Sequence, residues 1–353
     1  MPEISNKAAL TSIITATTAW TILETIANTY APSQTVSYTR ALAIQQLLPK
    51  LGLEAYLFDP DYAHTGNALL TLGARSPKIL FLAHADEFSY LVGPEVGDGI
   101  WSLTPYCSDR TEIDYHAVAL RYRPASGRLE TAATGLISRD NPERAPYFVA
   151  QAGSLQPGDR VIYRHPLSQV ADAIQGSLDN AAGVTACLLA VLALSRLAPQ
   201  ATVAFAFTDE EEGPPVYNTT FARGARRLLR RLPMPDLCVN VDGHNLSTWC
   251  KLGQGAVFTE QTGQGRGAVV PPQVYARFKR MAADMTAQGV RLTENLGYVS
   301  RSDEVACLEM TPNILLLGYP LRDPHFNQGV PAISLADLLD LGQAIFWTAV
   351  GFV

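Results

Sequence analysis

His84, Asp179, Glu211, Asp242 and His325 offer imidazole nitrogen and carboxylate oxygen in the order His, Asp, Glu, Asp, His, and four of the five close or follow an apolar, strand-like run. Zinc and similar divalent ions take these donors, and two such ions about 4 Å apart can share one carboxylate and one hydroxide. The chemistry that suits this set is hydrolysis by a two-metal-activated water, as in a co-catalytic peptidase.

Each candidate depends on an element that must aim it. KILFLA, residues 78–83, ends at His84, and Asp86 follows two positions later. Alternation along a strand turns both side chains the same way, so the Asp86 carboxylate can hold the imidazole from behind and fix its tautomer. Asp179 lies where the loop GSLDN meets an Ala- and Leu-rich helix, and capping that helix is the alternative use of its carboxylate. ATVAFAF, residues 201–207, empties into Asp209, Glu210, Glu211, Glu212 and Gly213. Adjacent carboxylates repel unless solvent or cations neutralise them, and the strand before them is too apolar for a surface edge. Gly213 suggests a tight turn that aims two of these acids at one point. DLCVNV leads to Asp242, and NILLLG leads into the turn YPLRDPHFNQ, which carries His325. In open parallel sheets, ligands gather at the carboxyl ends of the strands, where these residues fall.

The stretches TGNALLTLG, FLAHADEFSYLVG, LQPGDRVIY, GSLDNAAG, FAFTDEEEG, CVNVDGH, LGQGAVF, RSDEV and YPLRDPHFNQG, spread over residues 20–345, give a sequence that resembles the dinuclear-metal aminopeptidases. That family includes glutamyl aminopeptidase and the tetrahedral, dodecameric aminopeptidases. The resemblance implies a zinc-exopeptidase-like fold, with His84 and Asp242 on one metal, Glu211 and His325 on the other, and Asp179 bridging. It further implies Glu210 as general base, Asp86 as the partner of His84, and two zinc or cobalt ions per chain. Two departures stand out. The bridging Asp179-Asn180 is followed by Ala181, where the family usually has Arg, and a Gly-Leu-Arg-Gly-Ala-like continuation after the Glu pair is replaced by PPVYNTT. Both bear on the substrate pocket and neither on the metals.

Between His84 and Asp179 the pattern is not helical. HAVALRYRP and RLETAATGLI read as strands, with Gly and Pro at the turns. The expected architecture is α/β: a mixed, mostly parallel sheet sandwiched by helices, formed by residues 1–88 and 172–353. A small β-barrel-like domain, residues 89–171, is inserted into it, and the resemblance implies that this insertion supports oligomer contacts and partly covers the site. Helical patterns fall at 8–29, 39–50, 180–197, 219–231, 272–288 and 334–350. The last begins at Ser334, a candidate N-cap, and is apolar on most sides, as a deeply packed helix would be.

With 353 residues, 47% apolar and 17% charged, the chain can bury one large core and a small second one. A net charge of −6 disfavours nucleic acid or an anionic membrane as partner. The basic run RGARRLLRR is interleaved with leucine and reads as a helix with one solvated basic face. Five cysteines without a close pairing motif suit a reducing compartment, and none is near a ligand-like position. The N-terminus does not read as a signal peptide, and no run reaches the roughly 20 apolar residues of a membrane span, so a cytoplasmic protein is expected. TGQGRG, residues 262–267, lacks the strand-loop-helix context of a phosphate loop and reads as a flexible loop. His64, His116 and His165 read as ordinary hydrogen-bonded or surface histidines. His244 is a weaker candidate ligand or substrate contact, and Arg322 could attract an acidic side chain or brace its Pro-rich turn.

Two divalent ions set against Asp179, Glu211 and Asp242 leave one positive charge, which a bridging hydroxide neutralises. Such a centre lowers the pKa of its water and polarises a peptide carbonyl. A base close to the metals but not bound to them completes the set, which is why two adjacent acids are needed. The expected function is an aminopeptidase acting on peptides, as a homo-oligomer between dimer and dodecamer. The alternatives are an N-acyl amino acid deacylase or amidase with the same centre, or a silent peptide-binding scaffold, against which the intact ligands and Glu210 weigh.

Overall fold

Uninterrupted runs of Ile, Leu, Val, Phe and Ala become strands buried on both faces, and these make the middle of the fold. The computed structural model describes residues 7–352 apart from 55, 75, 108–113, 140–144, 214–221 and 266. Its strands are β1 (Leu57–Asp59), β2 (Ala68–Leu72), β3 (Ile79–His84), β4 (Tyr90–Gly97), β5 (Ile100–Pro105), β6 (Tyr115–Arg123), β7 (Arg128–Ser138), β8 (Tyr147–Gly153), β9 (Arg160–Tyr163), β10 (Ser168–Val170), β11 (Ala173–Gln175), β12 (Val203–Thr208), β13 (Leu237–Asn245), β14 (Ala256–Thr259), β15 (Leu292–Glu294), β16 (Ile314–Leu321) and β17 (Ala332–Ser334). The α-helices are α1 (Lys7–Ile13), α2 (Ala16–Ala27), α3 (Arg40–Leu47), α4 (Ala181–Leu197), α5 (Arg223–Leu229), α6 (Pro272–Ala287), α7 (Glu304–Cys307) and α8 (Leu335–Gly351).

Eight strands form one sheet in the order β1-β2-β12-β3-β13-β16-β14-β15. The four in the middle, β12, β3, β13 and β16, run parallel, and every residue of β3, β12 and β16 is buried. Phe81 of β3 and Phe205 of β12 are register partners and stack at 4.9 Å. Helices flank the sheet, as the alternation of patterns predicts. Helix α4 is apolar all round and buried from Ala181 to Leu194, packed against β3 and α8. Helices α5 and α7 pack on each other and on β12, β13 and β16. Between β3 and β11, six strands close into a barrel in the order β4-β5-β8-β7-β6-β9, and β10, β11 and β17 make a separate three-stranded sheet. The barrel core centres on Tyr90, Phe148, Val161 and Tyr163, and it also takes in Phe88 and Phe326 from outside the barrel strands.

The helices depart from expectation in detail. The single helix expected over 8–29 is two, because Thr15 adopts extended backbone (φ −108°, ψ 157°) and its hydroxyl caps α2 through the Thr18 N–H. Lys7–Ala27 is long and apolar enough to cross a membrane by length and composition, contrary to the reading that no run is. In the fold it is broken at Thr15 and buries Leu10, Ile13, Ile22, Leu23 and Ile26 in the main core. Ser334 does stand at the N-cap of α8, yet its side chain makes no capping bond.

One buried ion pair ties α3 to the end of β3. Arg40, fully buried, lies 2.7 Å from Glu87 and donates to the backbone oxygens of Ile26, Thr29 and Ala85. Glu87 in turn accepts from the Ala31 N–H at 2.8 Å and from the Ser177 hydroxyl at 2.5 Å. A charge desolvated this fully cannot lose its partner without a large cost. Arg40→Ala is expected to lower the unfolding free energy by about 3–5 kcal/mol, measured by urea unfolding.

Candidate metal centre

The parallel strands deliver the site. His84 and Thr208 are register partners at the ends of β3 and β12, and Asp242 pairs with Gly318 of the neighbouring β16. The two strands approach closely only because residue 318 has no side chain: a Cβ there would collide with the Asp242 carbonyl and crowd the His244 ring. Asp179 precedes α4, and the capping alternative resolves in favour of its neighbour. Asn180 is the N-cap, accepting the Gly183 N–H at 3.1 Å and donating to the Val241 carbonyl at 2.8 Å. The Asp179 carboxylate is left to face the cleft. His325 comes from the loop after β16, where its ring stacks on Phe88 at 5.4 Å.

The acidic run after β12 turns sharply, as expected, and the turn lies at Glu210. Glu210 takes left-handed backbone (φ 56°), an uncommon conformation for a residue with a side chain, and it redistributes the four carboxylates. Asp209 turns inward and accepts the N–H groups of Gln34 at 2.7 Å, Val36 at 3.1 Å and Glu210 at 2.7 Å. Glu210 points away from the cleft into an ion pair with Arg223 at 2.9 Å and another with Arg227. Glu211 and Glu212 line the cleft. Glu210, expected as the base, thus lies against Arg223 and Arg227, while Glu211, expected as a ligand, lines the cleft together with Glu212. The basic run of α5 is not simply a solvated face either, since Arg223 and Arg227 hold Glu210 and Arg226 pairs with Glu309.

Asp86 does lie behind His84, its carboxylate 3.6 Å from Nδ1, but the nearer acceptor for Nδ1 is the Asp86 backbone oxygen at 3.2 Å. The carboxylate accepts the N–H groups of Glu211 at 3.2 Å and Glu212 at 3.1 Å, and the Ser33 hydroxyl at 2.6 Å. It thus fixes the acidic turn as well as the histidine.

The donors fall into two groups that share Asp179. His84 Nε2 lies 3.3 Å from Asp179 Oδ1 and 3.6 Å from Asp242 Oδ1, while His325 Nε2 lies 3.7 Å from Asp179 Oδ2 and 3.2 Å from Glu212 Oε2. Donors about 2.0–2.2 Å from one tetrahedral ion are about 3.3–3.5 Å from each other, and the donor atoms of His84, Asp179 and Asp242, and likewise those of His84, Glu211 and Glu212, all lie within 4.8 Å of one another. Glu211 Oε2 is 3.9 Å from His84 Nε2, farther than the other two acids. The cleft around them measures about 340 Å³ and also presents Asn245, Ser300, Arg301 and Asn327.

The charges are poorly compensated. Burial, reinforced by Glu212 and Asp242 and opposed by His84, raises the Asp179 carboxyl to about 6. Burial likewise pushes Glu211 well above the usual carboxylate range. At Glu212 burial acts upward too, but His325 outweighs it, and His84 does the same for Asp242, so both are held low. Burial disfavours a charged His84, yet Glu211, Asp179, Asp242 and Asp86 together hold it well above the ordinary imidazole value. Divalent cations are the partners that suit such a buried cluster of acids.

Other sequence candidates find different places. His244 is buried, stacks on Tyr298 at 3.9 Å and contacts Asn295 at 3.1 Å, and burial drives its pKa down to about 3, so it is a neutral packing group. Arg322 is exposed and braces its turn through backbone pairing with Ala332, while Arg301 is the arginine that faces the cleft. The cysteine reading is corrected at one position. Cys107, Glu212 and His325 have donor atoms within 4.8 Å of one another. Nothing local in the sequence marks Cys107, which follows β5 in the barrel. PPVYNTT, residues 214–220, and the first residues of the helix expected at 219 lie outside the described residues.

No protein-family model matches the sequence, and no curated protein matches it. Solved structures match the fold over nearly the whole chain. The TET1 peptidase of Pyrococcus horikoshii, which assembles into a tetrahedron or a large octahedral shell, is 19% identical, covers 94% of this chain and 99% of its own, and has a TM-score of 0.72. Aminopeptidase APDkam598 of the archaeon Desulfurococcus kamchatkensis is 18% identical with 94% of each chain covered and a TM-score of 0.73. A TET aminopeptidase from a marine sediment thaumarchaeon is 15% identical, covers 96% of this chain and 99% of its own, and has a TM-score of 0.76. At these identities the shared property is the fold.

The redirected Glu210 has a measurable signature. Glu210→Gln is expected to keep the cleft and its bound metal intact and to lower stability by about 1–2 kcal/mol, because its arginine partners are partly open to solvent. Metal analysis together with thermal unfolding checks this. Loss of metal without loss of stability would return Glu210 to the centre.

Proposed function

We propose that the protein is a cytoplasmic metal-dependent aminopeptidase that removes N-terminal residues from peptides with two divalent ions, zinc or cobalt. One observation carries this reading: the two oxygens of Asp179 face two different histidines, each of which has a second acid beside it. His84, Asp179 and Asp242 would hold one ion, and Asp179, Glu212 and His325 the other. When bound, the pair would acidify a water and polarise the scissile carbonyl.

The rest of the chemistry falls to the chain. Glu211 faces the cleft within 4.8 Å of the His84 and Glu212 donor atoms but stands farther from His84, at 3.9 Å, than Asp179 and Asp242 do, so we assign it the role first read for Glu210: it accepts a proton from the attacking water and returns it to the departing amine nitrogen. Asp86 orients His84 and, through the N–H groups of Glu211 and Glu212, keeps base and ligand apart. A peptide amine enters a cleft lined by carboxylates, which favours a free ammonium over an acyl chain, and so an aminopeptidase over a deacylase. The absence of any disulfide among the described cysteines suits a reducing compartment.

We also propose that residues 89–171 act as a unit that joins subunits and partly covers the cleft in a homo-oligomer. The barrel exposes Val96, 64% accessible, and Tyr122, 49% accessible, and the P. horikoshii peptidase of this fold is recorded as a dodecamer. Light scattering of the full-length protein is expected to give a multiple of the chain mass, up to twelve copies. A monomer would remove the assembly reading and leave the metal assignment standing.

Glu211→Gln is expected to retain both ions while turnover drops by about 10²-fold or more, whereas Glu212→Gln and His325→Ala each lose one ion. Elemental analysis of purified, metal-reconstituted protein, paired with aminoacyl and N-acyl amide substrates, tests the whole reading. Cleavage of only the N-acyl substrates would make the protein a deacylase, and a metal-loaded protein inert on both would make it a scaffold.

A further inference from the structure

Cys107 sits at the His325 side of the centre for reasons built into the fold. It follows β5 of the barrel, and the residue before it is held on three sides. The Tyr106 N–H donates to the Ser89 carbonyl at 2.8 Å, the Tyr106 ring lies 4.1 Å under the Arg160 guanidinium, and the Tyr106 carbonyl presses on Gly213, where a Cβ would collide with it. Gly213 directly follows Glu212, so the cysteine loop and the acidic turn are fitted to each other. The Cys107 side chain hydrogen-bonds to the Glu212 carboxylate, and its sulfur, a Glu212 oxygen and a His325 nitrogen lie within 4.8 Å of one another. Glu212 is 2% exposed and the His325 ring is stacked on Phe88, so two of these three donors have little freedom to turn elsewhere.

Resting on the two-metal reading, we propose that Cys107 supplies a thiolate to the ion on the His325 side. With Glu212 and His325 it makes one close donor group, beside which Asp179 Oδ2 lies 3.7 Å from His325 Nε2. The His84 side keeps three protein donors and an open face. Binding is an exchange: the Cys107 S–H bond breaks, its proton leaves to solvent, and the sulfur lone pair is donated to the divalent ion, with no change of oxidation state. A soft sulfur donor biases this position toward zinc, cobalt or cadmium and away from magnesium or manganese.

The test uses full-length protein freed of metal and reloaded with cobalt(II). A thiolate ligand gives a sulfur-to-cobalt charge-transfer band in the near ultraviolet, which is expected in the native protein and lost in Cys107→Ser. A second measurement does not need the variant. The other four cysteines are buried, so iodoacetamide labelling followed by peptide mapping reads Cys107 selectively, and labelling there is expected to stop once the metal is bound. Two equivalents of cobalt bound with no charge-transfer band, or with Cys107 labelling unchanged, would overturn the thiolate ligand and leave the aminopeptidase reading intact. Failure to bind any divalent ion would overturn both.

Discussion

Like charges must be held together here against their own repulsion, and most of the surrounding structure answers to that requirement. Asp179, Glu211, Glu212 and Asp242 are gathered in one cleft with two histidines, and burial makes every ionised carboxylate more costly than in water. Backbone N–H groups and fixed hydrogen bonds supply the restraint until cations do. Asp86 holds two N–H groups of the acidic turn, Asp209 holds three N–H groups beneath it, and Gly243 donates to Asp242 at 2.6 Å. These bonds depend on a parallel register that sets His84 beside Thr208 and Asp242 beside Gly318, so the register and the chemistry are one constraint. The apolar strands contribute rigidity. Side chains packed on both faces leave the strand ends no room to retreat from the charge they carry.

Much of this was legible in the residue order. Apolar runs that end in His84, Asp242 and the acidic cluster announced parallel strands with ligands at their carboxyl ends, and the Gly- and Pro-punctuated segment before Asp179 announced a β insertion. What stayed hidden was decided by single torsions and by distant contacts. Glu210 turns to the arginines while Glu211 and Glu212 line the cleft, an arrangement that goes with left-handed backbone at Glu210, and no feature of three consecutive glutamates tells which of them will take it. The arginines that receive Glu210 were visible as a basic run, but their partner was not. Asn180 rather than Asp179 caps α4, a choice between two good capping residues that depends on where the loop must deliver the other one. Cys107 is returned to the site by the β4–β5 hairpin, whose register sets Pro105 opposite Tyr90.

The use of backbone oxygen for His84 has a related logic. A carboxylate placed directly on Nδ1 would do no more than orient the ring, whereas the observed arrangement lets the carbonyl of Asp86 meet the ring and leaves its carboxylate for the turn. One residue two positions beyond the histidine thus couples two ligand-bearing segments that are far apart in the chain. Ser33, which donates to the same carboxylate, brings the segment after α2 into the coupling.

Phe326 stacks on Tyr163 at 4.4 Å, and Phe88 packs edge-on against Tyr90 at 4.9 Å while its other contacts reach the His325 ring. The aromatic filling of the barrel therefore continues without a gap into the loop that carries one of the two histidines. A force on the barrel wall, from a neighbouring subunit or from a substrate wedged against it, would reach the His325 side of the cleft through stacked rings. Assembly and chemistry would then share a lever, with the barrel as its long arm.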